Sequence, residues 1–374
     1  MYSLDETARA WAEIDLKALK HNLDYAKQRV GRKVICVLKA DAYGHGAVEC
    51  GRYLQQNGAD MFAVAALSEA VELRENGITI PILILGYTPA VYADILGSLD
   101  IQQTVIDEAH AYDLNESAKE CGQTVKVHIK LDTGMSRSGI YAQANHNLAI
   151  DAAERIYSMS NLDAVGMYTH FAAADNPAER DYTTFQYRNY SIVYNGLAER
   201  GIRIENCHVS NSAAILNSPI HFDSIREGIM LYGMYPDSLP VEDGVLRPVM
   251  TLKARVAQVR DFPAGTTVGY GRTYRSDTPF TSAVITAGYA DGYPRRLSNK
   301  SYVVINGSQY PQIGRICMDV HMADVTGGNV KQGDEVVLFG NGGMSIESVA
   351  QIVGTINYEL TCLVTERARR VYIK

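Results

Sequence analysis

The sequence contains no CxxC pair and no cysteine–histidine spacing suited to zinc. Its six cysteines, at positions 36, 50, 121, 207, 317 and 362, stand apart. They read as reduced core residues in a reducing compartment, which excludes a disulfide framework or a zinc module. No apolar run approaches the roughly 20 residues of a membrane helix, since the most apolar stretch, Ile80 to Leu85, is short and interrupted by Pro81. The first residues, Met1 to Ala12, carry Asp5, Glu6 and Arg9 and lack an apolar h-region, so they predict no signal peptide, and a cytoplasmic location is expected. There is no Lys/Arg run or basic patch, no internal repeat and no low-complexity tract, and the net charge of −7 is spread along the chain. Nothing supplies an electrostatic footprint for nucleic acid or anionic lipid, so a small molecule is the expected partner.

What is present is ordinary globular composition, 47% hydrophobic and 21% charged over 374 residues, enough for two domains. Short β-branched apolar runs alternate with segments of helical period from residue 34 to about 235. The runs predict strands near Val34–Lys39, Met61–Ala65, Ile82–Leu85, Gln103–Ile106, Val125–Leu131, Ala164–His170, Asn206–Ser210 and Ser224–Arg226. Before the first, Leu16, Leu19, Leu23, Ala26 and Val30 share one helical face, with Asp15 placed as an N-cap. Parallel neighbours need crossovers, and continuous apolar strands imply burial on both sides, so the pattern predicts an α/β fold, a (β/α)8 TIM barrel. A doubly wound open sheet is the alternative that the pattern leaves standing. After about residue 245 short strands with Gly, Asn and Pro turns take over, as at Thr281–Ala287, Tyr302–Asn306 and Glu335–Phe339. The expected division is a barrel over 1–240 and a mostly-β C-terminal domain over 241–374, with the junction in the Pro-, Asp- and Gly-rich stretch Pro236 to Pro248.

The most informative segment is an apolar strand ending in Lys39 and passing into a polar, glycine-containing loop, KADAYGHG. At the C-terminal mouth of a barrel, where catalytic side chains gather, a desolvated lysine amine is available for a Schiff base. Taken one at a time the other candidates stay ambiguous. Read alone, Tyr270 is first a turn residue, Arg226 a salt-bridge partner, His170 a core histidine, Met318 core and Tyr289 an interfacial aromatic, while Ser212 reads equally as a helix cap.

Together with HIKLDTGMSRSG (128–139), THFA (169–172), SNSA (210–213), REGIMLYG (226–233), VGYGRTY (268–274), GYADGY (288–293), GRICMD (314–319) and INYE (356–359), the KADAYGHG motif resembles the alanine racemase family along essentially the whole chain. The resemblance implies a homodimer with shared active sites that uses pyridoxal 5'-phosphate to interconvert L- and D-alanine, supplying D-alanine for peptidoglycan. It assigns Lys39 to the Schiff base and to one face of the proton transfer. Tyr270, from the partner subunit, takes the other face, and a phenol needs cationic neighbours to act as a base. Arg226 would face the pyridine nitrogen with His170 bonded to it. An always-cationic group there disfavours ring protonation and hence transamination. Tyr43, Ser212, Gly228, Ile229 and Tyr358 would hold the phosphate, in the loops after strands seven and eight. Arg137 would meet the substrate carboxylate, with Lys130 at a position open to carbamylation. Met318, Asp319 and Tyr289 would complete the substrate site. No metal is implied.

One departure is visible. The family usually has proline after the strand-eight arginine, whereas this chain has Glu227, and a carboxylate facing the phosphate would repel it unless paired or turned away. The competing reading within the family is a serine racemase, related to the catalytic domains of membrane-anchored enzymes. A barrel-type amino-acid decarboxylase lacks the Tyr270 and Met318 motifs, and a single-barrel cofactor carrier needs no second base.

Overall fold

The computed structural model describes residues 9–236, 239 and 244–374. Eight parallel strands, Lys33–Val37, Met61–Val64, Ile82–Ile84, Ile101–Val105, Val125–Asp132, Leu162–Tyr168, Asn206–His208 and Ser224–Glu227, pair in chain order. The last closes on the first through Ser224 opposite Lys33 and Glu227 opposite Cys36. Closure decides against the open doubly wound sheet. The eight expected runs are these strands, displaced by a residue or two at their ends.

The helix Leu16–Val30 illustrates how local sequence sets the barrel's outer layer. Asp15 caps it by accepting from the Ala18 amide at 2.9 Å, and Gly31, at φ 66°, ends it in a left-handed turn. Leu16, Leu19, Leu23 and Ala26 are buried on its inner face, and Val30 packs partly buried against the same core.

The second layer system is antiparallel. A long strand, Met250–Phe262, pairs along one half with Glu335–Phe339 and along the other with Phe280–Ile285. The strands His321–Asp324, Ser308–Ile313 and Tyr302–Ile305 complete the circuit between those two. Register shifts at Leu252/Lys253 and Val256/Gln258 let this one strand bend between its partners.

One element departs from the expected 1–240 division. Ala10–Asp15 is a strand of the C-terminal sheet, antiparallel to Met250–Phe262 and parallel to Arg369–Ile373. Its residues are buried among partners from the far end of the chain, and Asp15 is where the path leaves that sheet for the barrel helix. The junction expected at Pro236 to Pro248, with its boundary between 240 and 241, falls largely outside the described residues. No described helix is long and apolar enough to cross a membrane. All six cysteines are free, but only Cys36, Cys50 and Cys207 are core residues. Cys121 and Cys362 are exposed and Cys317 is half-buried, because each of these three sits in a loop or at a helix end.

Candidate active site

The C-terminal mouth of the barrel holds a cavity of about 530 Å³. It gathers Lys39, Tyr43, Lys130, Arg137, His170, Ser212, Arg226, Gly228, Ile229 and Tyr358 from the sequence-derived candidates, as expected for strand-end residues of a closed barrel.

Lys39 owes its position to an unusual turn. The first barrel strand stops at Val37, and Ala40, Asp41, Ala42 and Tyr43 then follow one another at φ 52–54°. Left-handed conformation costs a non-glycine residue of order 1–2 kcal/mol, so this turn is held from outside. One Glu69 oxygen accepts from the Ala40 amide at 2.6 Å, and the other accepts from Ala65 and Ala66 at 2.7 and 3.0 Å. His45 Nδ1 lies 2.9 and 3.1 Å from the carbonyls of Ala42 and Tyr43, and Asp41 accepts from the Ala47 amide at 2.7 Å. The turn aims both Lys39 and Tyr43 into the cavity, with the Lys39 ammonium 5.9 Å from the centre of the Tyr43 ring. Burial, then the Arg137 guanidinium, pull the Lys39 pKa down, while Glu69 opposes them.

On the floor Arg226 is almost fully buried without a carboxylate partner among the described residues. Its guanidinium donates to the carbonyls of Thr169 (2.7 Å), His208 (2.9 Å) and Val209 (3.0 Å). It also meets His208 Nδ1 at 2.5 Å and His170 Nδ1 at 3.4 Å. Burial and the adjacent cations, Arg226 first, push His170 well below its ordinary pKa, so it is neutral. Lys130 donates to Ser138 at 2.6 Å, and burial with Arg137 and Arg226 lowers it to about 8.

The loops after strands seven and eight are stitched by one hydroxyl. Ser212 Oγ accepts from the Gly228 amide at 3.0 Å and the Met230 amide at 3.4 Å. The cap of the helix Ser212–Asn217 is Asn211, whose side chain accepts from Ala214, which leaves Ser212 to the cavity. A Cβ on Gly228 would stand 3.0 Å from the Tyr43 hydroxyl and 3.6 Å from Ser212 Oγ. The glycine therefore keeps open an oxygen-lined recess.

Glu227 is turned away from this recess. Strand alternation directs Arg226 inward and Glu227 outward, opposite Cys36. There its carboxyl is fully buried, neither oxygen has a hydrogen-bond partner among the described residues, and burial raises its pKa well above the usual carboxylate range. The repulsion anticipated near the phosphate loop does not arise, because the side chain faces the helical layer, where burial favours its uncharged form.

The remaining candidates lie outside the cavity, on the C-terminal domain. Tyr270 is 71% exposed, Met318 52% and Tyr289 42%. Tyr289 and Ala290 amides donate to the carbonyls of Cys317 and Met318 at 3.1 and 3.0 Å, which makes these two segments one surface. Asp319 accepts from Arg367 at 2.8 Å.

Sequence reading missed several participants, namely Glu69, Tyr168, His208 and His128. A signal for two existed, because on a strand of period two an inward Lys130 implies an inward His128, and Tyr168 stands in the same relation to His170. For Glu69 there was none.

A closed parallel barrel whose mouth joins a lysine of lowered pKa, a buried arginine and an oxygen-lined glycine recess, continued by an antiparallel β domain, defines a class of two-domain barrel proteins. Residues 14–236 match the alanine racemase N-terminal domain and residues 249–372 the alanine racemase C-terminal domain. Alanine racemase 1 of Clostridium acetobutylicum is 42% identical over 371 residues, 97% of this chain and 95% of that protein. The solved alanine racemase of Clostridium difficile 630 superposes with a TM-score of 0.91 at 40% identity, covering 98% and 96% of the two chains. A histidine racemase of Leuconostoc mesenteroides has the same architecture at 27% identity, with a TM-score of 0.89 and 98% of each chain covered. The chain belongs to the alanine racemase family.

Proposed function

We propose that the protein racemises alanine with pyridoxal 5'-phosphate held in the barrel mouth, yielding D-alanine for peptidoglycan. The observation that carries this reading is the convergence of Lys39, Arg226 and the Gly228 recess on one cavity. The donor set fits the cofactor. A lysine amine with lowered pKa stands at one side, and a planar always-charged guanidinium stands on the floor for the ring nitrogen. Beside the glycine recess, phenolic and serine hydroxyls with backbone amides suit a phosphate. Tyr358, whose ring lies 6.2 Å from that of Tyr43, adds a further phenol, and Ile229 a backbone amide.

When bound, pyridoxal 5'-phosphate withdraws electrons from the amino acid's Cα and makes its α-proton removable. Lys39 then takes or returns that proton on one face. Arg137 orients the substrate carboxylate. Tyr270 of a second copy serves the opposite face, with Met318, through its backbone, and Asp319 beside it and Tyr289 at the entrance. Their exposure, remote from their own chain's cavity, is what favours a homodimer with shared sites. Lys130, lowered to about 8, keeps an appreciable neutral fraction near neutral pH, which favours its carbamylation and a carbamate next to Arg137.

Alanine is preferred to serine because the relatives named above include alanine racemases at 40% identity or more, while the ring of Tyr358 occupies the cavity wall. The experiment is chiral chromatography of L-alanine and L-serine incubated with the cofactor-loaded protein. Faster racemisation of alanine is expected, and Lys39→Ala should abolish it. Serine turned over faster, or full activity in Lys39→Ala, would refute the reading.

A further inference from the structure

Beneath Arg226, polar side chains line up through the barrel axis. Arg226 meets His208 Nδ1 at 2.5 Å, His208 Nε2 meets His128 Nδ1 at 2.9 Å, and His128 Nε2 meets Gln102 Oε1 at 2.8 Å. Arg226 is 3% exposed, both imidazoles 0% and Gln102 8%. Gln102 and His128 line a cavity of about 190 Å³ at the end of the barrel opposite the mouth.

The donors and acceptors of this line have a single consistent assignment. A guanidinium only donates, so His208 Nδ1 accepts and its proton sits on Nε2. That proton points at His128 Nδ1, which accepts in turn and leaves the His128 proton on Nε2, donated to the Gln102 carbonyl oxygen. Either ring in the other tautomer, or charged, would set donor against donor inside the barrel. Space is reserved for the line as well, because a Cβ on Gly166 would come within 2.2 Å of His128. The Tyr168 ring stacks on His208 at 4.8 Å and lies 5.1 Å from the Arg226 guanidinium carbon.

We infer that Gln102 and His128 are positioning residues for Arg226, acting through His208: the Gln102 carbonyl accepts the last proton of an order that starts at the guanidinium, so that His208 can present an acceptor to Arg226 without leaving a buried donor unpaired at the far end. This rests on the reading that Arg226 faces the cofactor's ring nitrogen. In agreement with it, burial and then Arg226 depress both rings, His128 to about 3 and His208 well below its ordinary value.

The test is ¹⁵N NMR of histidine-labelled, cofactor-loaded protein, together with one product ratio. Both rings should be neutral with the proton on Nε2 from pH 6 to 9, and either ring charged or protonated on Nδ1 would overturn the inference. Gln102→Leu removes the terminal acceptor, and Gly166→Ala displaces His128 without deleting a polar group. Each leaves the last proton of the line poorly accepted, which weakens the line at His208 and loosens Arg226. The ring nitrogen is then more readily protonated, and more alanine ends in half-transamination, in which its amino group stays on the cofactor and pyruvate leaves. Loss of one charge-assisted hydrogen bond corresponds to about a tenfold rise in pyruvate formed per racemisation turnover. An unchanged ratio in folded, loaded variants would overturn the inference. Absence of alanine racemisation in the unsubstituted protein would instead sink the function proposed above, and the tautomer result would still judge the proton order.

Discussion

Glu227 makes a quantitative prediction about stability. Its carboxyl is buried against the helical layer with no partner for either oxygen among the described residues, and the one cation that acts on it, Lys27, is paired with Asp60 at 3.0 Å. Burial therefore favours the protonated carboxyl in the folded state, whereas the unfolded chain carries it ionised at neutral pH. The folded state binds the extra proton, so stability declines as pH rises above the unfolded value near ~4.3 and continues to decline until the folded carboxyl itself ionises. Wherever the folded carboxyl stays protonated while the unfolded one is ionised, the slope is about 1.4 kcal/mol per pH unit. Glu227→Gln has nearly the same shape and no such linkage. Parallel urea denaturation of both proteins, cofactor-loaded and at one protein concentration, should show the variant gaining on the parent with up to that slope as pH rises above the unfolded value. A stability difference that does not change with pH would show that the carboxyl is ionised in the fold or has a partner, and the argument from burial would fail.

Three further outcomes follow from the site. Gly228→Ala places a methyl group 3.0 Å from the Tyr43 hydroxyl, and cofactor affinity, titrated by absorbance, should fall about tenfold or more; unchanged affinity would move the phosphate elsewhere. Mixing inactive Lys39→Ala with inactive Tyr270→Ala should restore part of the activity, since a heterodimer carries one intact site, and verified heterodimers without activity would refute the shared site. Glu69→Gln removes the negative charge that supports the Lys39 ammonium, so the midpoint pH at which Lys39 reacts with an amine-directed reagent should shift downward; an upward shift would show that the broken turn, not the charge, governs the amine.

The barrel was legible because its strands are short apolar runs with no competing period, and the Asp15 cap is a local signal. Lys39, Ser212 and Arg226 were legible because strand ends in a barrel converge. The strand Ala10–Asp15 was not, since its partners lie in the last third of the chain and no local pattern records them. The left-handed turn after Lys39 was equally hidden. It contains no glycine at 40–43 and is held by Glu69 from the first turn of the helix Leu67–Glu75, so a local reading sees only a loop. The outward direction of Glu227 follows from alternation against Arg226, a relation available in the sequence once Arg226 is taken to face inward.

The placement of Ala10–Asp15 between Met250–Phe262 and Arg369–Ile373 bears on how the chain is made. During synthesis this strand leaves the ribosome ahead of the barrel that follows it, yet both of its neighbours are translated only after that barrel. The helix Leu16–Val30 can dock on nascent barrel strands while the strand before it stays open at both edges. An apolar strand waiting unpaired is the element most exposed to misassociation, and sheet closure across so long a separation is slow. Chaperone dependence and refolding yield are therefore expected to track this one hexapeptide, and damage to Arg369–Ile373 should act on the opposite end of the sequence.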